Sequence, residues 1–177
     1  MKSPFLVLTL ALSSGAVWAD KAKTWSTVSD GLAAGLPLVA SYSTWQAGDS
    51  AGTTQLLASA GSALLASELL KSTVHIPRPD GSDRKSFPSA HTALAFSAAA
   101  FMDRRQGESA WTPALYGAAA LTGLARVEAN KHRWGDVLAG AAIGYGAARY
   151  WSEPLQGGRV SVLPATTGLA LAWSRTY

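Results

Sequence analysis

Apolar residues run through most of the chain in long stretches of low charge. Five such stretches, each rich in Ala, Leu, Gly and Ser, cover residues 26–46, 51–71, 87–102, 109–126 and 134–151. Their length and the lack of alternating β-branched residues predict helices, and Gly or Pro residues interrupt the pattern between them. The pattern therefore predicts an all-α fold, a bundle of about five helices around one core.

The pattern changes over residues 157–177. After Gly157 and Gly158, two apolar runs at 160–163 and 169–173 flank a Thr-Thr-Gly turn at 166–168, which predicts a C-terminal β-hairpin. Because an isolated hairpin is only marginally stable in water, we expect it to pack on the bundle, a partner or a membrane surface.

The N-terminus has the features of a secretion signal. Lys2 precedes an apolar run at 5–12, and Val17-Trp18-Ala19 has small residues at the positions that a signal peptidase requires. We therefore expect a signal peptide at 1–19, a helical domain at 20–156, and a location in a bacterial cell envelope, in the periplasm or at the periplasmic face of a membrane. An uncleaved first membrane helix is the alternative.

The first helical stretch raises the question of a membrane. Trp25 and Trp45 bracket about 30 Å of helix, the thickness of a hydrocarbon core, as an aromatic belt would. Asp30 and Pro37 lie inside this stretch, and the mean hydropathy of the chain is only +0.11. These features favour association with a membrane, but they leave open whether the bundle spans it.

The amino-acid composition limits the kinds of site that this chain can form. The chain has 177 residues, which fits one helical domain, and no cysteine, which removes thiol chemistry and disulfides. Its net charge is +4, but the 15 basic residues are scattered, so no nucleic-acid partner is expected. Two of the three histidines, His91 and His132, are among the candidate site residues of the three polar blocks described next; the third, His75, is not.

The first block joins Lys71 at the end of the second predicted helix to Arg78, which lies between Pro77 and Pro79. The prolines stop the helix and favour an extended segment, so Arg78 can turn back toward Lys71. The alternative is a solvated helix end, where the helix dipole favours Lys in any case.

The second block, Ser86-Phe87-Pro88-Ser89-Ala90-His91-Thr92, opens the third predicted helix, and Pro88 and Ser89 suit its first turn and its cap. Free backbone N–H groups and the positive end of the helix dipole make such a start a site for an anion. Ser89 as a simple helix cap and His91 as a packed polar residue form the alternative.

The third block contains Arg126, His132 and Asp136. A spacing of four residues on a helix would bring the Asp136 carboxylate within reach of the His132 imidazole. A carboxylate bound to Nδ1–H would select the tautomer in which Nε2 is free to attack. The alternative is a buried ion pair or a helix cap.

All three blocks fall at predicted helix ends. In an up-and-down bundle with short turns, the end of the second helix, the start of the third, the end of the fourth and the start of the fifth lie at one pole. The polar groups of the blocks are therefore expected to meet in one site.

The blocks resemble the signature of the type-2 phosphatidic acid phosphatase and vanadium haloperoxidase superfamily, which reads Lys-x6-Arg-Pro, Pro-Ser-Gly-His and Ser-Arg-x5-His-x3-Asp. The matching residues are Lys71 and Arg78-Pro79, then Pro88-Ser89-Ala90-His91, then Ala125-Arg126, His132 and Asp136. Ala90 and Ala125 depart from this signature, and neither removes a catalytic side chain.

The resemblance implies a role for each residue. His132 would be the nucleophile, oriented by Asp136, and His91 would protonate the leaving oxygen. Three cations, one hydroxyl and one backbone N–H would hold the phosphoryl oxygens: Lys71, Arg78, Arg126, Ser89 and Ala90. No metal and no cofactor is implied.

These features together predict a metal-independent phosphatase. Its substrate would be a phosphomonoester or pyrophosphate, either a phosphorylated small molecule or, as the apolar helices favour, a lipid phosphate. Two alternatives are a vanadate-dependent haloperoxidase and a non-catalytic envelope module for binding or scaffolding. Loss of one essential side chain would favour the module, but all of them are present.

Overall fold

The computed structural model describes residues 5–107, 109–155, 159–165 and 168–174. These residues form five α-helices followed by one antiparallel pair of strands, which confirms the predicted all-α class. The elements are α1 Phe5–Gln46, α2 Ser50–Thr73, α3 Ala90–Gln106, α4 Thr112–Glu128, α5 Trp134–Trp151, β1 Arg159–Ala165 and β2 Gly168–Ser174.

Local signals set the helix boundaries. Gly48, with φ of 62°, turns the chain after α1, and the Asp49 side chain then caps α2 by accepting a hydrogen bond from Gly52 N at 2.8 Å. Ser89 is the N-cap of the third helix, as predicted, and α3 begins at Ala90, three residues after the approximate start predicted at residue 87.

Helix α3 lies at the centre of the bundle and packs against each of the other four helices. Its buried face is mostly alanine, including Ala95, Ala98 and Ala99, with Phe101 as the largest fully buried side chain. Small side chains allow neighbouring helices to approach closely, so α3 and the polar block at its start are held from all sides.

Helix α1 is longer than predicted, since it begins at Phe5 and not near residue 26. It therefore continues through most of the segment interpreted as a signal peptide; residues 1–4 lie outside the described part of the chain. Cleavage near residue 19 and domain limits at 20 and 156 stay predictions. In the described residues, no helix combines the length and the apolar character that crossing a membrane requires.

The two C-terminal strands pair in the predicted antiparallel sense. Their register joins Arg159 to Ser174 and Ala165 to Gly168. Thr166 and Thr167, where the turn is predicted, lie outside the described residues, as do the hairpin side chains. The expected packing of the hairpin against another surface therefore stays a prediction.

Candidate active site

The helix ends that carry the three blocks meet at one end of the bundle, which we call the site pole. It comprises the C-terminal ends of α2 and α4 and the N-terminal ends of α3 and α5. Ser89 N donates to the backbone carbonyl of Asp136 at 2.9 Å, and Ser86 Oγ donates to the Asp136 carboxylate at 2.6 Å. Arg133 Nη1 reaches the carbonyl of Pro77 at 2.8 Å. The predicted meeting of these helix ends is confirmed.

The two connections at the site pole are also joined by an ion pair. Lys131 Nζ lies 2.6 Å from Asp80 Oδ2, and Asp80 N donates to the Asn130 carbonyl at 3.1 Å. Burial alone would raise the pKa of Asp80, but the hydrogen bonds from Lys131 and Ser82 outweigh it and hold this pKa at about 2. The segment that carries Arg78 is therefore fastened to the segment that carries His132.

His132 is the most constrained histidine of the site, and only 3% of its surface is exposed. Its Nδ1 lies 2.6 Å from the backbone carbonyl of Ser86. Because a carbonyl only accepts hydrogen bonds, Nδ1 carries the proton and Nε2 keeps its lone pair. Burial and the charge of Arg126 lower the pKa of His132 to about 4, so the ring is neutral at pH 7.

The partner of His132 Nδ1 differs from the predicted one. Asp136 Oδ2 lies 3.8 Å from Nδ1, too far for a hydrogen bond, and accepts instead from Ser86 Oγ at 2.6 Å and from Arg133 N at 2.8 Å. The predicted direct bond is wrong because α5 begins only at Trp134, so His132 is not on the helix that a spacing of four residues assumes. Asp136 acts on His132 through Ser86 and through charge.

Arg126 supplies a buried cation with a free donor. Its guanidinium Nη1 donates to Ser29 Oγ at 3.2 Å and to Asp30 Oδ1 at 3.3 Å. Its Nε is buried and has no hydrogen-bond partner among the described residues. An unpaired buried donor is costly, so this atom fits a site that is completed by an oxygen from outside the chain.

His91 lies in the first turn of α3 and faces α1. Its Nε2 lies 2.9 Å from Asp30 Oδ1, and 37% of its side chain is exposed. Burial lowers the pKa of His91, the charges of Arg126 and Lys71 lower it further, and Asp30 opposes them. This imidazole is thus nearer to solvent than His132 and has a carboxylate in contact with one ring nitrogen.

The start of α3 presents donors to the same region. Ser89 Oγ accepts from Thr92 Oγ1 at 2.9 Å and caps Thr92 N at 3.5 Å, which leaves the Ser89 hydroxyl hydrogen available to donate. The N–H groups of Ala90 and His91 lie in the first helical turn, where no carbonyl of the helix itself can accept from them. This arrangement suits an anion.

Each of the three cations of the site has a carboxylate partner that is more exposed than the cation itself. Lys71 Nζ lies 2.7 Å from Glu68, Arg78 Nε lies 2.8 Å from Asp83, and Arg126 pairs with Asp30 as described. Exposed carboxylates can turn away into solvent when a stronger anion enters. The three cations can therefore exchange these carboxylates for an anionic ligand with little loss of stability, because exposed ion pairs contribute little to it.

Ser86, Ser29 and Asp30 are the polar groups of the site that the sequence did not identify. Ser86 is the first residue of the second block, but the sequence assigned it no role. Asp30 stands out as an acid within an apolar helix, but its target, about 60 residues away in the sequence, is visible only in the fold.

A cavity of about 430 Å³ lies at the opposite end of the bundle, near the α1–α2 turn and the end of α3. Tyr42, Met102 and Leu115 line it, and the Asp49–Arg105 ion pair, with an N–O distance of 2.6 Å, borders it. None of the residues of the three blocks lines this cavity. The candidate catalytic and phosphate-binding residues therefore lie at the site pole and not at this cavity.

Comparison with known families agrees with the fold and the site. The sequence model of the PAP2 superfamily matches residues 52–155, which include all three blocks. This chain belongs to the PAP2 superfamily.

One curated relative is the lipid A 1-phosphatase of Porphyromonas gingivalis, 43% identical over 82 residues. That match covers 44% of this chain but only 18% of the relative's length.

Among solved structures, the crystal structure of Aquifex aeolicus LpxE is similar, with a TM-score of 0.59. The similarity covers 84% of this chain and 86% of that chain at 21% sequence identity. At this identity the similarity supports the fold and carries no argument about substrate.

Proposed function

We propose that this protein is a metal-independent phosphatase that hydrolyses a phosphomonoester or a pyrophosphate through a phosphohistidine. The observation that carries the proposal is the state of His132: a neutral ring with Nδ1–H bound to the Ser86 carbonyl and no partner for Nε2 among the described residues. The charge of Arg126, whose Nε is likewise unpaired in this part of the chain, acts on the same ring. A nucleophilic nitrogen and a cationic donor without a partner, both in one site, are what attack on a phosphoryl group requires.

In the first half of the reaction, the Nε2 lone pair of His132 attacks phosphorus and the bond from phosphorus to the leaving oxygen breaks. His91 gives a ring proton to that oxygen. Lys71, Arg78 and Arg126 stabilise the charge on the equatorial oxygens, with the Ser89 hydroxyl and the Ala90 N–H as further donors. The phosphorylated His132 ring is cationic, and the Ser86 carbonyl and the Asp136 charge stabilise it.

In the second half, His91 accepts a proton from water, and the water oxygen attacks phosphorus as the bond to His132 Nε2 breaks. Inorganic phosphate leaves and both histidines return to their starting state. No step needs a metal ion, since guanidinium groups and backbone donors perform the positioning that Mg²⁺ performs in kinases. The described residues contain no cluster of three or more His, Asp or Glu side chains arranged to hold a metal.

A lipid phosphate at the cell envelope is the substrate class that we propose. Large apolar side chains are exposed on the helix ends around the site, including Leu69 on α2 and Trp134 and Leu138 on α5. The Porphyromonas gingivalis relative is named for a lipid phosphate, lipid A. A phosphate site surrounded by exposed apolar side chains suits a substrate whose headgroup is polar and whose body is apolar.

The test is phosphate release in EDTA by wild-type protein and by His132→Ala, over a panel of soluble esters, phosphatidic acid and lipid A phosphates. We expect His132→Ala to lose activity by at least about 10³-fold, because no other group replaces the nucleophile. His75→Ala is the matched control, since His75 is exposed and, although it lies between Lys71 and Arg78, has no role assigned at the site, and it should retain full activity. Wild-type activity in folded His132→Ala would refute the proposal.

The intermediate and the alternatives are tested in the same preparations. Rapid quenching with ³²P-labelled substrate should yield an acid-labile, base-stable phosphoprotein in the wild type and none in His132→Ala. Added vanadate should inhibit phosphate release. If vanadate instead conferred halide oxidation, the haloperoxidase alternative would hold, and absence of both activities would favour the binding module.

A further inference from the structure

One carboxylate of the site comes from outside the stretch that matches the PAP2 superfamily. Asp30 lies on α1, whereas the family match begins at residue 52. A single oxygen of Asp30, Oδ1, lies 2.9 Å from His91 Nε2 and 3.3 Å from Arg126 Nη1. The neighbouring Ser29, fully buried, accepts from the same guanidinium nitrogen at 3.2 Å. Helix α1 thus reaches the site through two consecutive residues.

The surroundings of His91 explain why a carboxylate matters there. The charged groups that act on this imidazole are Arg126 from α4, Lys71 from α2 and Asp30 from α1. Burial and both cations disfavour the protonated ring, and Asp30 is the group that favours it. Without Asp30, a histidine that must donate a proton would face two positive charges alone.

We propose that Asp30 is a positioning residue of this reaction, which orients the His91 ring through Nε2–H and keeps a second ring proton available for the departing oxygen. The proposal rests on the proposed function. With Nε2–H bound to the carboxylate, Nδ1 is the ring nitrogen whose proton passes to the oxygen as the bond from phosphorus breaks. The neutral ring then takes a proton from the attacking water, and Asp30 is unchanged at the end of the cycle.

The contact between Asp30 and His91 could also be an ordinary surface ion pair, and that explanation predicts different results for variants of Asp30. Asp30 is 57% exposed, and exposed pairs contribute little to stability. If the contact were only structural, replacing Asp30 would leave the protonation of His91 and the dependence on the leaving group unchanged. These two quantities therefore decide between the explanations.

The first experiment compares Asp30→Asn with wild type on two soluble substrates. A short-chain alkyl phosphate has a poor leaving group and needs an acid, whereas p-nitrophenyl phosphate has a good one and does not. We expect kcat for the alkyl ester to fall by about 10-fold to 100-fold and kcat for the nitrophenyl ester to fall much less. The basic limb of the alkyl-ester profile should move to lower pH, because the charge that sustains protonated His91 is gone.

Two variants serve as controls. Asp30→Glu restores the carboxylate and should recover most of the alkyl-ester activity. Asp20→Asn makes the same charge change on an exposed residue of α1, about 15 Å along the helix from Asp30 at 1.5 Å per residue, and should behave as wild type. Circular dichroism checks that all variants keep the helical fold.

The second experiment needs no activity. NMR titration of the three imidazoles should show a lower pKa for His91 in Asp30→Asn than in wild type and no change for His75. If wild type is active but Asp30→Asn keeps both the same leaving-group dependence and the same His91 titration, the role of Asp30 is refuted and the proposed function stands. If His132→Ala is as active as wild type, the proposed function fails, and the titration alone shows whether Asp30 controls His91.

Discussion

The imidazole of His132 is held by a backbone carbonyl, which makes its tautomer independent of any single side chain. Ser86 contributes that carbonyl, and its hydroxyl separately binds the Asp136 carboxylate. In a Ser-His-Asp triad the carboxylate binds the imidazole directly, so its loss yields the wrong tautomer and costs about 10⁴-fold in kcat. Here the carboxylate is 3.8 Å from Nδ1 and has a less direct role.

Replacement of Asp136 should therefore be milder than in such a triad. We expect Asp136→Asn to lower kcat by about 10-fold to 100-fold, clearly less than the about 10⁴-fold loss in a triad. Ser86→Ala keeps the carbonyl and removes only the hydroxyl, so its loss of kcat should be smaller than that of Asp136→Asn. The double variant should lose less than the product of the two, because both act through one hydrogen bond. Loss of activity in Asp136→Asn equal to that in His132→Ala would contradict this prediction.

Burial of His132 should also make the stability of the fold depend on pH. Its pKa in the folded protein, about 4, lies below the ordinary value of 6.5. Between these values the unfolded chain binds more protons than the folded one, so the free energy of unfolding decreases as the pH falls.

The measurement is urea unfolding of wild type and His132→Asn at several pH values from 7 to 4. The asparagine amide can still donate to the Ser86 carbonyl but does not titrate. Each unit of pKa shift corresponds to about 1.4 kcal/mol, so the wild type should lose stability more steeply over this range. Equal slopes for the two proteins would show that His132 titrates normally. Comparing slopes cancels the contributions of carboxylates such as Asp49 and Asp80, which both proteins share.

At the scale of the elements, the contact between α3 and α5 determines where the second block lies. A Cβ at Gly140 would overlap the backbone of Ser89, and one at Gly144 would overlap the backbone of Ala93. The Gly140-x-x-x-Gly144 spacing thus brings α5 against the first turns of α3. Ser89, which is part of the site, has its backbone in this contact.

Alanine at these glycines should separate the two helices. We expect Gly140→Ala and Gly144→Ala each to reduce the free energy of unfolding by about 1–3 kcal/mol, the usual cost of overpacking. Gly140→Ala should also reduce kcat, because it displaces Ser89. Gly146→Ala, on an exposed face of the same helix with open space at its Cα, should instead stabilise by about 0.5–1 kcal/mol. Thermal unfolding and phosphate release measure both effects, and similar behaviour of all three variants would rule out the close contact.

At the scale of the whole molecule, the candidate site residues and the exposed apolar side chains are distributed differently. The three blocks lie at the site pole, while exposed aromatic side chains occur at both ends, with Trp134 next to the site and Trp45 at the far end of α1. If the substrate is a lipid presented by a membrane, only the apolar groups around the site should affect its use.

This difference defines a paired test. Trp134→Ser should reduce kcat/KM for phosphatidic acid in vesicles by about 10-fold, roughly the 1.5 kcal/mol expected for losing the burial of one large side chain, and should leave a soluble ester unaffected. Trp45→Ser, which removes an exposed tryptophan from the far pole, should leave both substrates unaffected. Equal losses on vesicle and soluble substrates would argue against a lipid-facing role for Trp134.

The amino-acid sequence by itself determined the helices, the three polar blocks and the pole at which the blocks meet. These follow from local signals, such as Asp49 and Ser89 as caps and Gly48 as a turn. They also follow from the short connections of α1 to α2, α3 to α4 and α4 to α5, which make these helix pairs antiparallel. Boundaries that depend on one cap, such as the start of α3, were predicted only to within a few residues.

Only the tertiary structure decided which atoms hold the two histidines. A backbone carbonyl is present at every residue and leaves no mark in the sequence, so the bond from Ser86 to His132 could not be predicted. Asp30 is distant in sequence from His91 and Arg126, and its role depends on how α1 packs across α3 and α4. The residue types specified which catalytic groups are available. Long-range packing determined which ring nitrogen of His132 and of His91 has a hydrogen-bond partner.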